Sequence, residues 1–290
     1  ERMKLITVDI GSFNIKTSEG VILENRFELD NNAEVFGAEV LNYDGNNYFF
    51  GRGEFNKTFS KVHKEIEVPL FYSLAKSNVS GKINLILHLP ASQMTMKNLI
   101  IDRLQGHEFT YKVNSVEYKT IFNKVGVLRE GWSSFYSLSK RNDGLIAIMD
   151  IGGRTTDIFT FNNGINEKEK SLAIGMMDVF SDIADKLNGQ GENRRLEDIH
   201  KLLANEIINI DEFEDVIYKY AAKIINDVKV TIDNLGDYKI YLTGGGAEYL
   251  INVLDKKFRV EIMNNNLCSN CTGSYNIGKA KGLDKWWRLD

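Results

Sequence analysis

Leu145-Ile-Ala-Ile-Met-Asp-Ile-Gly-Gly-Arg-Thr-Thr-Asp157 is the stretch whose reading decides the fold. An apolar run ends in a carboxylate, two glycines and two threonines, and a second apolar run, Ile158-Phe-Thr-Phe161, follows at once. The pattern predicts strand, tight turn, strand: a β-hairpin whose turn leaves backbone N–H groups uncovered by side chains. Such a concavity binds anions, phosphate above all. Asp150 and Asp157 would repel a phosphate directly, so they imply a cation or a water between. A magnesium–nucleotide complex fits.

The same device occurs earlier. Lys4-Leu-Ile-Thr-Val-Asp-Ile-Gly-Ser-Phe-Asn-Ile-Lys16 again gives an apolar strand, Asp-Ile-Gly, small polar residues and a return strand. The copies lie roughly 140 residues apart, too far for a solenoid period and right for a duplicated domain. A third glycine turn, in Ile240-Tyr-Leu-Thr-Gly-Gly-Gly-Ala-Glu248, also follows an apolar strand. One Asp-Ile-Gly carries little weight; three such corners form a set.

At 290 residues there is room for about two domains. A hydrophobic share of 43% beside 26% charged residues describes a soluble globular chain. The net charge of −4 leaves no basic footprint, so direct nucleic-acid binding is not expected as the main activity. No apolar run approaches the roughly 20 residues of a membrane span. The chain enters a strand at once, without the regions of a signal peptide; Glu1-Arg2 ahead of Met3 are set aside. Two cysteines, Cys268 and Cys271, indicate a reducing compartment, and cytoplasmic localisation is expected. Their Cys-x-x-Cys spacing lacks a second pair or a neighbouring histidine, so free thiols are preferred over a redox pair or zinc.

Along the chain, Val21 to Gly53 reads as β-rich, with Asp44-Gly45-Asn46 as a hairpin turn. Residues 56–80 are polar and mixed, with a helix around Pro69–Ala75. Lys82–Leu89 is a strand whose His88 reads as a satisfied core residue; Thr95–Leu104 has helical spacing; Phe109–Val113 and Tyr118–Val127 are strands. A short helix over Ser133–Ser139 follows Glu130, which sits at a strand–helix junction where open α/β sheets place ligands. Helices are expected from Ile174-Gly175 onward through Val179, Ile183 and Leu187, over Leu196–Ile208, over Asp211 to about Leu235, and over Ala247–Leu254. An Asn/Cys-rich loop follows Met263, then Ile277–Gly282 and a last helix ending in Trp286-Trp287, read as docking residues. There is no G-x-x-x-x-G-K-[ST] or G-x-G-x-x-G run, which counts against P-loop and Rossmann folds.

Asp9-x-Gly-Ser-x-Asn14-x-Lys16, Glu130, Asp150-x-Gly-Gly-x-Thr-Thr-Asp157, Thr243-Gly-Gly-Gly-Ala-Glu248 and Gly278-x-Ala-x-Gly282 occur in that order. Together they resemble the phosphate 1, connect 1, phosphate 2, adenosine and connect 2 motifs of the actin-like ATPase superfamily. The Ser-Phe-Asn-x-Lys and Arg-Thr-Thr-Asp variants, with Gly106-His107-Glu-Phe ahead of Glu130, look most like the ParM-type bacterial actins that segregate plasmids, and like related archaeal proteins. The chain looks too short for the superfamily's large chaperones. It also lacks an obvious amphipathic membrane anchor of the kind found in MreB, so no membrane partner is expected.

The resemblance implies an α/β actin-like fold: two similar domains, each a mixed five-stranded sheet with flanking helices, around a nucleotide cleft. Domain I would be residues 1–149 and domain II residues 150–275, with a C-terminal helix, 276–290, returning to domain I. Asp9, Gly11, Ser12, Phe13, Asn14 and Lys16 would form the first phosphate hairpin, with Ser12 and Asn14 donating to phosphate oxygens and Lys16 supplying charge. Gly152, Gly153, Arg154 and Thr155, with Asp157, would cradle the phosphates from the second. Arg154 replaces a small residue of many relatives and either reaches phosphate or, as preferred, points outward. Asp9 and Asp150 would hold Mg2+ largely through its waters. Gly244, Gly245 and Gly246 would let adenine lie against backbone; Asp178, Asp182 and Lys186 are candidates for ribose and base contacts.

Glu130 and Asp150 would then orient a water toward the γ-phosphate of ATP, or of GTP, with slow turnover below about 1 s⁻¹. The implied function is a filament-forming ATPase that assembles head to tail with itself and moves plasmid DNA through a DNA-binding adaptor protein. A small-molecule kinase of the same superfamily and a nucleotide-binding scaffold without turnover are the alternatives.

Overall fold

Apolar runs broken by glycine turns build two sheets, one in each of two units. The computed structural model describes residues 3–34, 37–141 and 144–285, so Trp286 and Trp287 lie outside the described residues. One unit comprises Glu1–Ser139 with Cys268–Asp290, and the other Lys140–Leu267. A boundary at 149/150 would cut through a strand. The change of unit falls before that strand instead, and the return to the first unit begins at Cys268 rather than at 276.

The first unit opens with an antiparallel meander, β1 (Lys4–Ile10), β2 (Asn14–Thr17) and β3 (Ile22–Glu24). Then come β4 (Arg26–Leu29), β5 (Val40–Tyr43) and β6 (Asn46–Phe55). β5 and β6 join through Asp44-Gly45, both at positive φ (50° and 75°), the backbone a two-residue hairpin turn requires. Helix α1 (Glu67–Lys76) leads to β7 (Gly81–Leu89), and α2 (Lys97–Leu104) to β8 (Glu108–Val113) and β9 (Val116–Arg129). A single turn, α3 (Trp132–Phe135), closes this stretch. The sheet order is β3-β2-β1-β7-β9-β8-β5-β6-β4, with β1, β7 and β9 parallel.

This sheet has nine strands where five were expected. The first five reproduce the duplicated frame, and β8, β5, β6 and β4 extend it beyond β9. Pairing between strands far apart in sequence leaves no local mark, so the insertion reads as β-rich without showing which edge it joins. Helix α1 is buried from Val68 to Ala75, and Phe71 stacks on Tyr111 at 4.6 Å between ring centroids. A helix apolar on every side belongs inside a core, and each large side chain there contributes about 1.5–3 kcal/mol.

The second unit repeats the frame without the extension. β10 (Leu145–Ile151), β11 (Thr156–Asn162) and β12 (Ile165–Leu172) form the meander. Helices α4 (Met176–Asn188), α5 (Leu196–Ala204) and α6 (Glu214–Lys229) lead to β13 (Lys239–Thr243), parallel to β10. Helix α7 (Ala247–Leu254) then leads to β14 (Val260–Ile262), parallel to β13. The order β12-β11-β10-β13-β14 matches β3-β2-β1-β7-β9 strand for strand. Phe213, Ile217, Tyr220, Ile224, Val228 and Ile232 are all buried, as their helical spacing predicts. Helix α5 stops at Ala204, short of Ile208; Glu206 turns left-handed (φ 56°) and leaves Ile207 67% exposed.

One expected loop is a helix. Residues Ser269–Ala280 are helical although Ser, Asn, Thr and Gly are poor helix formers. Close packing accounts for the small residues: a Cβ on Gly273 would sit 1.8 Å from the Ser133 carbonyl oxygen, and one on Gly278 2.7 Å from Leu5. Gly273→Ala should therefore destabilise the chain by about 2–3 kcal/mol in urea denaturation, despite alanine's better helix propensity. A neutral or stabilising result would mean that this helix does not pack as described.

Candidate functional site

The two Asp-Ile-Gly corners have the same geometry, each within its own unit. In the first, Asp9 pairs across the hairpin with Lys16, and the Gly11 N–H donates to the Asn14 carbonyl at 2.9 Å. In the second, Asp150 pairs across with Asp157, and the Gly152 N–H donates to the Thr155 carbonyl at 2.9 Å. A Cβ on Gly11 would meet the Asn14 carbonyl at 2.8 Å, and one on Gly152 the Thr155 carbonyl at 3.1 Å. Glycine is the residue these tight loops admit.

In the first unit Asp9 is buried, and the Lys16 ammonium lies 3.2 Å from its Oδ2. The Lys61 ammonium lies 3.8 Å from Oδ1 and forms an ion pair with Glu130. Burial alone would push the Asp9 carboxyl up, but Lys16, Lys61 and His88 together hold it well below the usual carboxylate range. Burial likewise opposes the charge on Lys61, yet Glu130 and Asp9 raise its pKa. Glu130 is itself buried at the end of β9; its N–H donates to the Leu89 carbonyl at 2.9 Å. The next residue, Gly131, adopts a positive φ of 68° and donates to Asn270 Oδ1 at 2.9 Å. His88 is buried, with Nδ1 3.2 Å from the Val8 carbonyl and Nε2 2.6 Å from Ser274 Oγ: a satisfied core histidine.

Lys61 was missed from the sequence, where it is one lysine in a polar stretch. Its segment, residues 56–66, has no helix or strand, yet buried Gln93 accepts the Lys61 N–H at 2.8 Å and donates to the Phe59 carbonyl at 3.1 Å. Asn25 was missed as well: its N–H donates to the Phe13 carbonyl (2.7 Å) and its Nδ2 to the Gly11 carbonyl (2.6 Å), fixing the first turn. No local pattern marks either residue. The Phe13 ring packs edge-on against Phe55 at 4.9 Å, so Phe13 presents backbone rather than ring at the corner.

In the second unit Gly175, ahead of α4, packs against the corner, where its Cβ would lie 2.4 Å from the Gly153 carbonyl oxygen. Asp178 accepts the Gly175 N–H at 2.9 Å and lies 3.6 Å from Arg154, so Arg154 turns toward the start of α4. The charged ends of Asp182 and Lys186 are engaged with α6, through Lys219 and Tyr220 and through Asp215 respectively. These contacts pair α4 with α6. The triple glycine also divides. A Cβ on Gly244 would strike Asp150 Oδ1 at 2.4 Å and one on Gly246 the Ile151 side chain at 2.2 Å, whereas Gly245 faces open space. Two of the three serve internal packing.

Each corner, taken within its own unit, offers carboxylate oxygen of the kind a hydrated magnesium ion takes. Asp9 Oδ1 is buried without a hydrogen-bond donor, and Asp150 and Asp157 stand opposite each other on adjacent strands, where like charges repel. Among the described residues no cluster of three His, Cys, Asp or Glu could hold a metal unaided.

Residues 148–256 match the family described as archaeal actin homologue MreB-like, C-terminal. No curated protein matches the chain in sequence. Solved structures resemble it over nearly its whole length. The archaeal actin homologue Ta0583 in complex with ADP has 16% identity and a TM-score of 0.79, over 96% of this chain and 100% of that one. A 15-stranded ParM filament from Clostridium botulinum has 17% identity and a TM-score of 0.81, over 97% and 100%. An AlfA filament bound to AMPPNP has 18% identity and a TM-score of 0.63, over 97% and 98%. The fold is that of the actin-like proteins. Within that class, ParM proteins and an archaeal actin homologue are among the structural relatives of this chain.

Two outcomes follow from the site's packing and charge. Gly246→Ala should cost about 1–3 kcal/mol in urea denaturation, while Gly245→Ala should stay within about 0.5 kcal/mol of wild type. Burial holds the His88 pKa below its ordinary value against the pull of Asp9 and Glu130. A depressed folded pKa means stability that is whole above about pH 6.5 and is lost as pH falls, since the unfolded chain takes up the proton first. Melting temperature should thus decline between about pH 6.5 and 5, and His88→Gln should flatten that slope. Asp9 adds a separate loss only below about pH 4, near the unfolded carboxyl value.

Proposed function

We propose that this chain is a filament-forming actin-like ATPase that binds a magnesium–nucleoside triphosphate through its two hairpins. The observation that carries the reading is the doubled corner: in each unit a buried strand ends in Asp-Ile-Gly with the same register and the same closing hydrogen bond. Structures of relatives described as an ADP complex and as an AMPPNP-bound filament support it.

Ser12 and Asn14 donate to phosphate oxygens at the first corner, where Lys16 supplies positive charge. Gly152, Gly153 and Thr155 offer backbone at the second, and Asp157 lies beside them. Gly245 is the adenosine-facing glycine, and Asp178 reaches the ribose. Asp9 and Asp150 would hold the magnesium ion through water; when bound, it neutralises charge on the phosphates. Glu130 orients a water for attack in line with the γ-phosphate, with Asp150 as its companion, so that ATP and water give ADP and phosphate. Positioning and charge carry such a reaction, with no covalent step on the protein.

Head-to-tail contacts that do not close give a filament. With a net charge of −4, plasmid DNA is reached through a DNA-binding adaptor protein rather than by the chain itself. Cys268 and Cys271 are free and buried, in keeping with a reducing cytoplasm, and among the described residues no helix is long and apolar enough to cross a membrane.

The test is phosphate release and light scattering with Mg–ATP and with Mg–GTP, beside electron microscopy. Wild type should release phosphate without any added acceptor and assemble when nucleotide is present. Glu130→Gln should slow release by about 100-fold or more while still binding nucleotide. Release that requires a metabolite acceptor would make the chain a kinase; binding without release would make it a scaffold.

A further inference from the structure

We infer that Lys61 is a switch on Glu130: the ammonium that pairs with this carboxylate moves to the terminal phosphate of a bound nucleoside triphosphate, releasing Glu130 to orient water. The role deepens the hydrolysis reading above and rests on it. Nothing in the sequence motifs assigns Lys61 a part.

The geometry is that of a deliberate delivery. Lys61 rides on a segment without regular structure, which on its own would wander in solvent. Gln93 fixes it from one side by two hydrogen bonds to the main chain at Lys61 and Phe59. Arg103 fixes it from the other, donating to the carbonyls of Val62 (3.2 Å) and Lys64 (3.4 Å) while its guanidinium pairs with Glu67. A surface lysine needs no such clamps. Here they bring an ammonium into a site where its side chain is only 13% exposed.

The charges at that point balance within the unit: Asp9 and Glu130 against Lys16 and Lys61. A buried set of this kind is weak support for stability, because apolar residues of similar volume do as well or better. Its asymmetry is more telling. Lys16 is tied to the hairpin itself, its Nζ 3.2 Å from where a Cβ of Gly11 would be. Lys61 instead comes from a separate segment and bridges the hairpin carboxylate and Glu130. A terminal phosphate at the Gly11 turn concentrates more negative charge than one carboxylate, and a lysine on its four-carbon stem can follow it. A diphosphate, one group shorter, offers no such pull.

Calorimetry with Mg–AMPPNP and Mg–ADP separates this from a plain structural pair, and thermal melting without nucleotide checks folding. Lys61→Met should weaken AMPPNP by about tenfold or more and ADP by less than about threefold, the size of one lost charge-assisted contact. Glu130→Gln should bind AMPPNP more tightly than wild type, because Lys61 no longer leaves a charged partner, while losing turnover. Lys61→Met/Glu130→Gln leaves neither charge of the pair behind and so remains testable if Lys61→Met does not fold. Compared with Glu130→Gln, it should again lose AMPPNP affinity and keep ADP affinity. Equal effects on both nucleotides, or no effect in the Glu130→Gln background, would reduce Lys61 to a structural partner and overturn the switch. Failure of wild type to bind either nucleotide would instead sink the hydrolysis reading beneath it.

Discussion

A carboxylate buried at the end of a central strand dictates the first unit. Asp9 cannot stay ionised there unaided, since the effective penalty is several kcal/mol per uncompensated ion. Lys16 answers it from across the hairpin and Lys61 from a separate segment. Lys61 in turn brings Glu130 into the same cluster, and Gln93 and Arg103 exist in their present positions to hold the segment that carries it. Remove the buried carboxylate and most of these polar arrangements lose their reason.

The second unit keeps the frame and changes the chemistry. Where Lys16 faces Asp9 across the first hairpin, Asp157 faces Asp150 across the second. Two copies of one backbone thereby carry different side-chain pairs across the turn. That difference lies in the side chains alone, since neither sheet order nor burial distinguishes the two corners.

What was legible in the sequence is what local chemistry writes. The glycine turns, the strands before them, the α6 face and the Asp44-Gly45 hairpin all follow from periodicity and permitted φ. Illegible were features decided at a distance: the edge joined by β8, β5, β6 and β4, the hidden helix Ser269–Ala280, and the burial of Lys61. The α4 candidates show a subtler limit. Asp178, Asp182 and Lys186 share a face by spacing, but spacing cannot say that α6 supplies partners for the last two. The triple glycine reads as one motif and proves to be three positions with different reasons to be glycine.

The helix Ser269–Ala280 shows why the first unit cannot be a contiguous piece of chain. Its Asn270 holds the Gly131 N–H and the Ser134 hydroxyl, its Ser274 meets His88, and the Cys271 carbonyl accepts from Thr7. Glu130 is therefore seated by a segment that follows it in sequence by the whole length of the second unit. Closing a loop of that length costs conformational entropy that the contacts at its ends must offset. Small residues suit so close an approach: at Gly273 and Gly278 the helix lies against the Ser133 carbonyl and Leu5, where no Cβ would fit. The low helix propensity that hid this element from the sequence thus comes from the same small residues that let it pack beside Glu130.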